Sequence, residues 1–385
     1  MYPYHIYMDL DVINNDYTST KHPHLRFEET RNTPFLDGDS SDYFCSILRF
    51  SIQTGNSLPV FIPRVQVGQS DPNLTIYKIT LERERAGVIY QGSAYVQYEP
   101  QNQVLEPVSP PIQAQDLTTT YYHVYSYHHF IDLINDAMLQ AFLNLRINMG
   151  SQWDFIAAPY LEWDAGSSTA SLLSPIDTVG ALDTISVYFS TRLYELFAGL
   201  SASLVSESGE KNYRMKTKKY LGHNTTKRKG VKIYHLNPIY DTTGDADFVQ
   251  SIQETSSIAT WNPIASIVFA STLLPIQPTQ TSMPKDIGQS SNNLKGGGNN
   301  SNLLNILSDF AIPVGPNNEY RPIIEYVPQS EYRLLDMNSS MNLNRVDVHV
   351  YWKDQFGVLH PLLLRPGCSA HVKLMFRRKD FDVVI

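Results

Sequence analysis

The chain has 385 residues, 42% hydrophobic and 11% aromatic, with a formal net charge of −8 at pH 7. That is enough globular chain for one large or two ordinary domains with a real core, and its acidic balance argues against nucleic-acid coating by the chain as a whole. Only Cys45 and Cys368 are present, which excludes a disulfide framework and points to a reducing assembly compartment.

Twenty-four tyrosines stand against 18% charged residues. Tyr joins an apolar ring to a hydrogen-bonding tip, so it suits half-buried strands and wet protein interfaces. No apolar run reaches the roughly 18–20 residues that span a bilayer. The start, Met1-Tyr2-Pro3-Tyr4-His5, lacks the basic and apolar parts of a signal peptide. The sequons Asn73-Leu74-Thr75 and Asn224-Thr225-Thr226 are therefore expected to go unused.

In chain order, residues 1–40 read as an N-terminal arm. A body of 41–205 and 259–385 follows, interrupted by a basic insertion over 206–258 and a flexible loop over 289–302. Within the body, short β-branched and aromatic runs alternate with Pro, Gly, Asn and Asp turns, the pattern of an all-β sandwich or barrel. The predicted strands are Phe44 to Ile52, Leu74 to Glu82, Gly87 to Tyr98, Thr184 to Phe189 and Val231 to Leu236. Ile264 to Leu273, Ile323 to Val327, Val346 to Trp352 and Ser369 to Phe376 complete the set. In the first, Cys45, Ile47 and Arg49 alternate with Ser46, Leu48 and Phe50, so both faces carry apolar groups and both are expected to be covered. Val346, Val348, Val350 and Trp352 point one way and Asp347, His349 and Tyr351 the other, which predicts a half-buried strand.

Phe130, Leu133, Ile134, Ala137, Met138, Ala141, Phe142 and Leu145 follow helical spacing over four turns and predict an amphipathic helix over 126–146 that packs on the core. Ser126 is its expected N-cap, and Asp132, Asn135 and Asp136 fall on the opposite face. A second short helix is expected from Thr191 to Phe197.

Motifs for chemistry are weak throughout. Lys295-Gly296-Gly297-Gly298-Asn299 lacks the Gly-Lys-Ser/Thr ending of a phosphate loop. His123, His128 and His129 lie among Tyr121, Tyr122, Tyr125 and Tyr127, and adjacent histidines make a poor metal pair. Asp9-Leu10-Asp11 and Asp245-Ala246-Asp247 place two carboxylates on one side of an extended chain without the further oxygens of a calcium site. No nucleophile elbow or His-Glu-x-x-His motif occurs, and Cys368 reads as a small residue at a strand start. The expectation is a protein that is not an enzyme, with no cofactor and no metal.

The strongest electrostatic signal is the run Lys211, Arg214, Lys216, Lys218, Lys219, Lys227, Arg228, Lys229 and Lys232. Like charges this close repel, which predicts a mobile or partner-ordered loop. Such a loop would meet nucleic acid through phosphates, dock on an acidic neighbour, or remain solvated.

Four segments carry a resemblance. They are Phe44-Cys45-Ser46-Ile47-Leu48-Arg49-Phe50-Ser51-Ile52 with Leu58-Pro59-Val60-Phe61-Ile62-Pro63; Tyr125 through Asn135; Trp261-Asn262-Pro263-Ile264-Ala265-Ser266-Ile267-Val268-Phe269; and a stretch from Ile306-Leu307-Ser308-Asp309-Phe310 through Tyr326-Val327-Pro328, Tyr332-Arg333-Leu334 and Val346 to Gly357, ending in Val372 to Arg377. In this order they resemble the penton or minor capsid protein of polinton-like viruses and adintoviruses, relatives of virophages and Maverick elements. The basic run is not part of that pattern.

The resemblance implies a mainly β jelly-roll sandwich with large loop insertions and one amphipathic helix. It implies a virion protein, assembled inside the host cell, that forms a homo-pentamer and contacts the major capsid protein. The basic run adds genome DNA as a partner to be tested. The rival readings are an attachment or carbohydrate-binding protein on the same scaffold, a jelly-roll enzyme acting on glycans, and a major capsid protein, which usually needs two jelly-rolls in a longer chain.

Overall fold

The computed structural model describes residues 5–18, 22–36, 38–54, 58–66, 71–100, 123–153, 157–176, 184–206, 212–216, 225–228, 246–277, 279–280, 303–312, 323–328, 333–355, 357 and 359–379. At 225–228, 246–247, 279–280 and 303–304 it describes the backbone alone. The strands begin with β1 (His5–Ile13), β2 (Arg26–Thr30), β3 (Tyr43–Gln53), β4 (Lys78–Arg85) and β5 (Val88–Tyr95), followed by helix α1 (Tyr127–Met149). Next come β6 (Tyr160–Asp164), β7 (Thr169–Pro175), β8 (Ser186–Phe189), helix α2 (Thr191–Leu196), β9 (Ala202–Leu204), β10 (Tyr213–Met215), β11 (Thr225–Arg228) and β12 (Ala246–Ile252). After helix α3 (Ile258–Trp261) run β13 (Ile264–Ser271), β14 (Thr279–Gln280), β15 (Leu303–Phe310), β16 (Ile323–Tyr326), β17 (Leu335–Asp336), β18 (Arg345–Asp354), β19 (Leu359–Pro361) and β20 (Ser369–Arg378).

The chain divides into two compact units. The first is Met1–Leu58, Pro263–Pro313 and Tyr320–Ile385; the second is Pro59–Asn262 and Val314–Glu319.

The first unit holds two antiparallel sheets, ordered β1-β20-β3-β16 and β14-β15-β13-β18-β19, with β17 also on β3 and β2 also on β18. Its eight principal strands, in chain order, are β1, β2, β3, β13, β15, β16, β18 and β20. The first pairs with the eighth, the second with the seventh, the third with the sixth and the fourth with the fifth. That is one long antiparallel ribbon. Folding it over joins the eighth strand to the third and the seventh to the fourth, closing the two sheets. This connectivity is a jelly-roll, as the resemblance implies. Side chains from both inner faces fill the core: Phe50 of β3 meets Phe269 of β13 edge-on at 4.8 Å, and Phe269 stacks on Phe310 at 5.9 Å.

Two details of the strand readings change. A register shift opposite Lys373 and Leu374 pairs Arg49 and then Ile47 with consecutive residues of β20, so Leu48 is extra. Such a bulge switches the phase of a strand. Cys45 and Ile47 face the core before it, Phe50 and Ile52 after it, and Arg49 is exposed instead of sharing a face with Cys45. On β18 the valines and Trp352 are buried as expected, but Asp347 and His349 on the other face are buried too, so this strand is covered on both sides there.

The main segment of the second unit, Pro59–Asn262, lies in the chain between β3 and β13. It contains the antiparallel sheets β5-β4-β8-β10-β9 and β11-β12-β7-β6, together with α1. The sequence boundaries differ from this division. Residues 5–13 and 26–30 are sheet strands and not an arm, because their apolar side chains Met8, Leu10 and Phe27 enter the jelly-roll core. Residues 59–205, read as part of the jelly-roll body, join 206–262 in one unit, whose described residues form two sheets and the helices α1, α2 and α3. The predicted strand over 231–236 and the loop over 289–302 lie outside the described residues.

Helix α1 forms where its periodicity places it, with the Ser126 hydroxyl accepting from the His129 N–H at 3.4 Å. It packs on β4 and β5 and on β6, all within the second unit. Its whole predicted stripe is buried, and so are Ile131, Leu139 and Asn135 outside that stripe. Phe61, Phe130, Phe197 and Trp261 meet at its N-terminal end, with Phe61 stacked on Phe130 at 4.1 Å and Trp261 edge-on to Phe130 at 4.9 Å. The Trp261 Nε1–H donates to the Leu196 carbonyl at 2.6 Å, which satisfies the polar end of a buried ring.

Candidate assembly surfaces

A β-protein that packs against neighbours must close the sheet edges it does not use, since an open edge is a template for non-specific pairing. In the second unit α1 does this for both sheets. Asn144 and Asn148, one helical turn apart, donate to the outward carbonyls of Ser93 (3.0 Å) and Gln91 (2.7 Å) on edge strand β5. Asn135 lies nine residues earlier, on the opposite side of a 3.6-residue helix. Its amide donates to the Leu161 carbonyl at 2.9 Å, and its oxygen accepts from the Leu161 N–H at 2.7 Å, on edge strand β6. The close approach to β5 depends on Gly92, where any Cβ would fall on the α1 backbone at Leu145 and Ala141.

Several large apolar side chains are left exposed. In the second unit, Leu204 and Val205 are exposed at edge strand β9, Val88 and Ile89 at the start of β5, and Ile147 on α1. The β4–β5 turn that presents Val88 has both central residues, Ala86 and Gly87, at positive φ (51° and 79°), the geometry of a two-residue hairpin matched to strand twist. In the first unit, Tyr7 and Ile13 are exposed on β1 at one end of its sheet, while Ile323 and Val327 are exposed on and beside β16 at the other. The same face of β1 carries cross-strand charge pairs. Lys373 Nζ lies 3.2 Å from Asp9, His371 Nδ1 lies 2.5 Å from Asp11, and the Lys373 ammonium sits over the Tyr7 ring. The Asp9 and Asp11 carboxylates are thus engaged by β20. Among the described residues no cluster of three or more metal-ligating side chains occurs.

The basic run is divided among several places. Arg214 lies on β10, and its Nη2 donates to Ser186 Oγ at 2.9 Å. Lys216 is exposed, and its backbone N–H donates to the Ser201 carbonyl at 2.8 Å. The backbone at Lys227 and Arg228 belongs to β11, opposite Asp247 and Ala246 of β12. Lys211, Lys218, Lys219, Lys229 and Lys232 lie outside the described residues. The expectation of a loop is therefore corrected at 213–215 and 225–228, where ladder hydrogen bonds to β8, β9 and β12 outweigh the repulsion between like charges.

The remaining candidates have structural surroundings. His123 Nδ1 is 3.3 Å from the Tyr125 hydroxyl, and His129 Nε2 is 2.7 Å from the Glu99 carbonyl, so the two rings serve different partners. Burial pushes the Cys45 thiol up to about 12 and raises that of Cys368 as well, which keeps both from being thiolate nucleophiles at neutral pH. Residues 295–299 and Asp245 lie outside the described residues.

One polar site is not legible from sequence spacing. The buried Asp347 carboxylate accepts from Ser271 Oγ (2.5 Å), Thr272 Oγ1 (2.5 Å) and the N–H groups of Thr272 (3.0 Å) and Leu273 (2.9 Å), and it lies 2.9 Å from His349 Nε2. Burial alone would raise its pKa. The hydroxyl and backbone donors outweigh burial and hold it below the usual carboxylate value.

A jelly-roll with a large inserted unit is a scaffold shared by capsid, lectin and enzyme domains, so the fold alone does not assign a role. The family model of the Sputnik minor capsid protein V18/19 matches residues 6–378, and the chain belongs to that family. It is 32% identical over 149 residues to structural protein V19 of Sputnik virophage, covering 39% of this chain and 64% of that protein, so it spans just under two thirds of that curated relative. It is 31% identical over 125 residues to the uncharacterized protein V18 of Sputnik virophage, covering 30% of this chain and 70% of that one. A chain in the 3.5 Å cryo-EM structure of the Sputnik virophage superposes with TM-score 0.73 at 25% identity over 99% of both chains. The crystal structure of the mavirus penton protein shares the fold, with TM-score 0.59 at 15% identity over 97% of this chain and 99% of that one. The protein is a minor capsid component of a virus particle.

Proposed function

We propose that the protein is a penton-type vertex subunit that acts by assembly, joining copies of itself in a ring and contacting the major capsid protein around that ring. The observation that carries this reading is a fold shared from end to end with the mavirus penton protein. Cyclic closure needs two different surfaces on each subunit, one meeting the other on the next copy. The separate apolar flanks at β1 and at β16, and those of the second unit, are candidates for such contacts. A subunit of this kind has no catalytic step, and the buried Cys45 and the carbonyl-bonded His129 fit a structural role. Lys211, Arg214, Lys216, Lys218, Lys219, Lys227, Arg228, Lys229 and Lys232 are proposed to meet negative charge outside the subunit, with genome DNA the partner to test first. Averaged electron-microscope images of the purified protein should display five-fold rings. Single particles of one-subunit size at micromolar concentration would contradict the proposal.

A further inference from the structure

Strand β1 ends the sheet β1-β20-β3-β16 on one side and β16 ends it on the other. β1 pairs with β20 from His5 to Ile13 without a register shift. It contains no Pro or Lys and no bulge, the devices that commonly guard an open edge. Its two acids, Asp9 and Asp11, are engaged by Lys373 and His371 of β20. The Asn14 N–H donates to the Cys368 carbonyl at 3.1 Å. Residues of an antiparallel strand bond alternately to one side and the other, so the even-numbered residues of β1 bond β20. The N–H and C=O groups of Tyr7, Asp9, Asp11 and Ile13 therefore point to the open side. Among the described residues no hydrogen bond reaches those groups.

The far end of the sheet has the matching polarity. All three pairings across it are antiparallel, so β1 and β16 run in opposite directions, and a second copy set beside the first brings its β1 antiparallel to β16. The same alternation, carried through β20 and β3, turns the backbone groups of Ile323 and Glu325 outward on β16. The side chains match as well. Ile13 pairs with Ser369, the Ser369 N–H donates to Gln53 Oε1 at 3.1 Å, and Gln53 pairs with Ile323. Ile13 and Ile323 thus lie in one cross-strand row, 61% and 47% exposed at its two ends.

We propose that β1 of one copy adds to the outer edge of β16 of the next, with Ile13 opposite Ile323, so that this sheet runs on from subunit to subunit. The joint rests on the ring proposed above and specifies how that ring is closed: two different edges meet, and the contact repeats around an axis. It covers two exposed isoleucines and supplies partners for backbone groups on both strands. The neighbouring row runs Asp11, His371, Ser51, Glu325, so the joint sets Asp11 of one copy beside Glu325 of the next. Like charges directly opposite weaken a strand pair, and this pair gives the joint a signature that no other contact would show.

Cross-linking and a charge reversal test the joint, both read together with native mass. Opposed residues of a hydrogen-bonded antiparallel pair have Cα atoms about 5.5 Å apart, within reach of a disulfide. In a Cys368→Ser chain, Ile13→Cys with Ile323→Cys should give on mild oxidation a ladder of linked chains up to five, while either cysteine alone should give none. Glu325→Lys should place a cation beside Asp11, and the protomer concentration at which rings half-dissociate should fall about two- to fivefold. A double-cysteine protein of ring mass that forms no ladder overturns the joint and leaves the ring standing. Glu325→Lys rings that dissociate like the parent's, or more readily, overturn it equally, and this result decides alone should the cysteine variant not fold. A parent protein that stays a single chain overturns the ring and the joint together.

Discussion

Asn135 on α1 and Leu161 on β6 are joined by two hydrogen bonds, the Asn amide donating at 2.9 Å and its oxygen accepting at 2.7 Å. A buried side chain here stands in for the strand that β6 lacks on its outer edge. Asn135→Leu would leave one N–H and one C=O unsatisfied in an apolar setting, at ~1–3 kcal/mol each. The variant should lose about 2–4 kcal/mol in urea unfolding, and Asn135→Asp, which keeps only the acceptor, should also lose stability. An Asn135→Leu variant as stable as the parent would mean that α1 is not what closes this edge.

Gly92 sets the spacing between α1 and β5. Because a Cβ there falls on the helix backbone at Leu145 and Ala141, Gly92→Ala must push the helix away and weaken the bonds of Asn144 and Asn148. The expected cost is roughly 1–3 kcal/mol, as for overpacked cores, with faster amide exchange in β5. Unchanged exchange in β5 would contradict this account of the contact.

How much of this was legible in the sequence depended on how local the cause was. Helix α1 declares itself through eight apolar residues at helical spacing and a Ser cap, and the central jelly-roll strands through β-branched runs. Strand β1 alternates cleanly, with Ile6, Met8, Leu10 and Val12 against Tyr7, Asp9 and Asp11. Its partner β20, however, lies some 360 residues away (Asp11 opposite His371), and no local pattern shows a pairing at that distance. Asn135 reads as a solvent-facing polar residue until β6 is laid beside it. The Leu48 bulge is likewise invisible, because its cause is the register with β20. Of the basic run, the charge was legible and the strands at 213–215 and 225–228 were not, since short polar strands owe their existence to the neighbours they pair with.

Asp347 anchors the turn after β13 to β18. Its folded pKa is depressed, so the unfolded state binds the proton more readily and the stability it contributes is present above the ordinary value of 3.8. That contribution is lost as pH falls through the still lower folded value. Asp347→Asn should destabilise the neutral-pH protein by about 2–4 kcal/mol, because its NH2 faces groups that are themselves donors. Thermal melting across acid pH should also lose the limb that belongs to this group. A variant that melts like the parent at neutral pH would show that the turn is held by other contacts.

The basic run is tested through its response to salt. Protein that meets DNA phosphates through these residues should lose affinity linearly on a log–log salt scale. Replacing Lys216, Lys218, Lys219, Lys227, Arg228 and Lys229 with Ser should flatten that slope. If the parent binds DNA negligibly at all salts while the substituted protein assembles poorly, the partner is an acidic protein surface. If neither binding nor assembly changes, the run is a solvated surface.

The central claim, a ring of identical subunits, is tested most directly by the native mass of the purified protein. Five copies of a 43.7 kDa chain give a particle of about 219 kDa, and the account predicts that species as the dominant one, persisting on dilution to micromolar concentration. A single species at 43.7 kDa under the same conditions would contradict it.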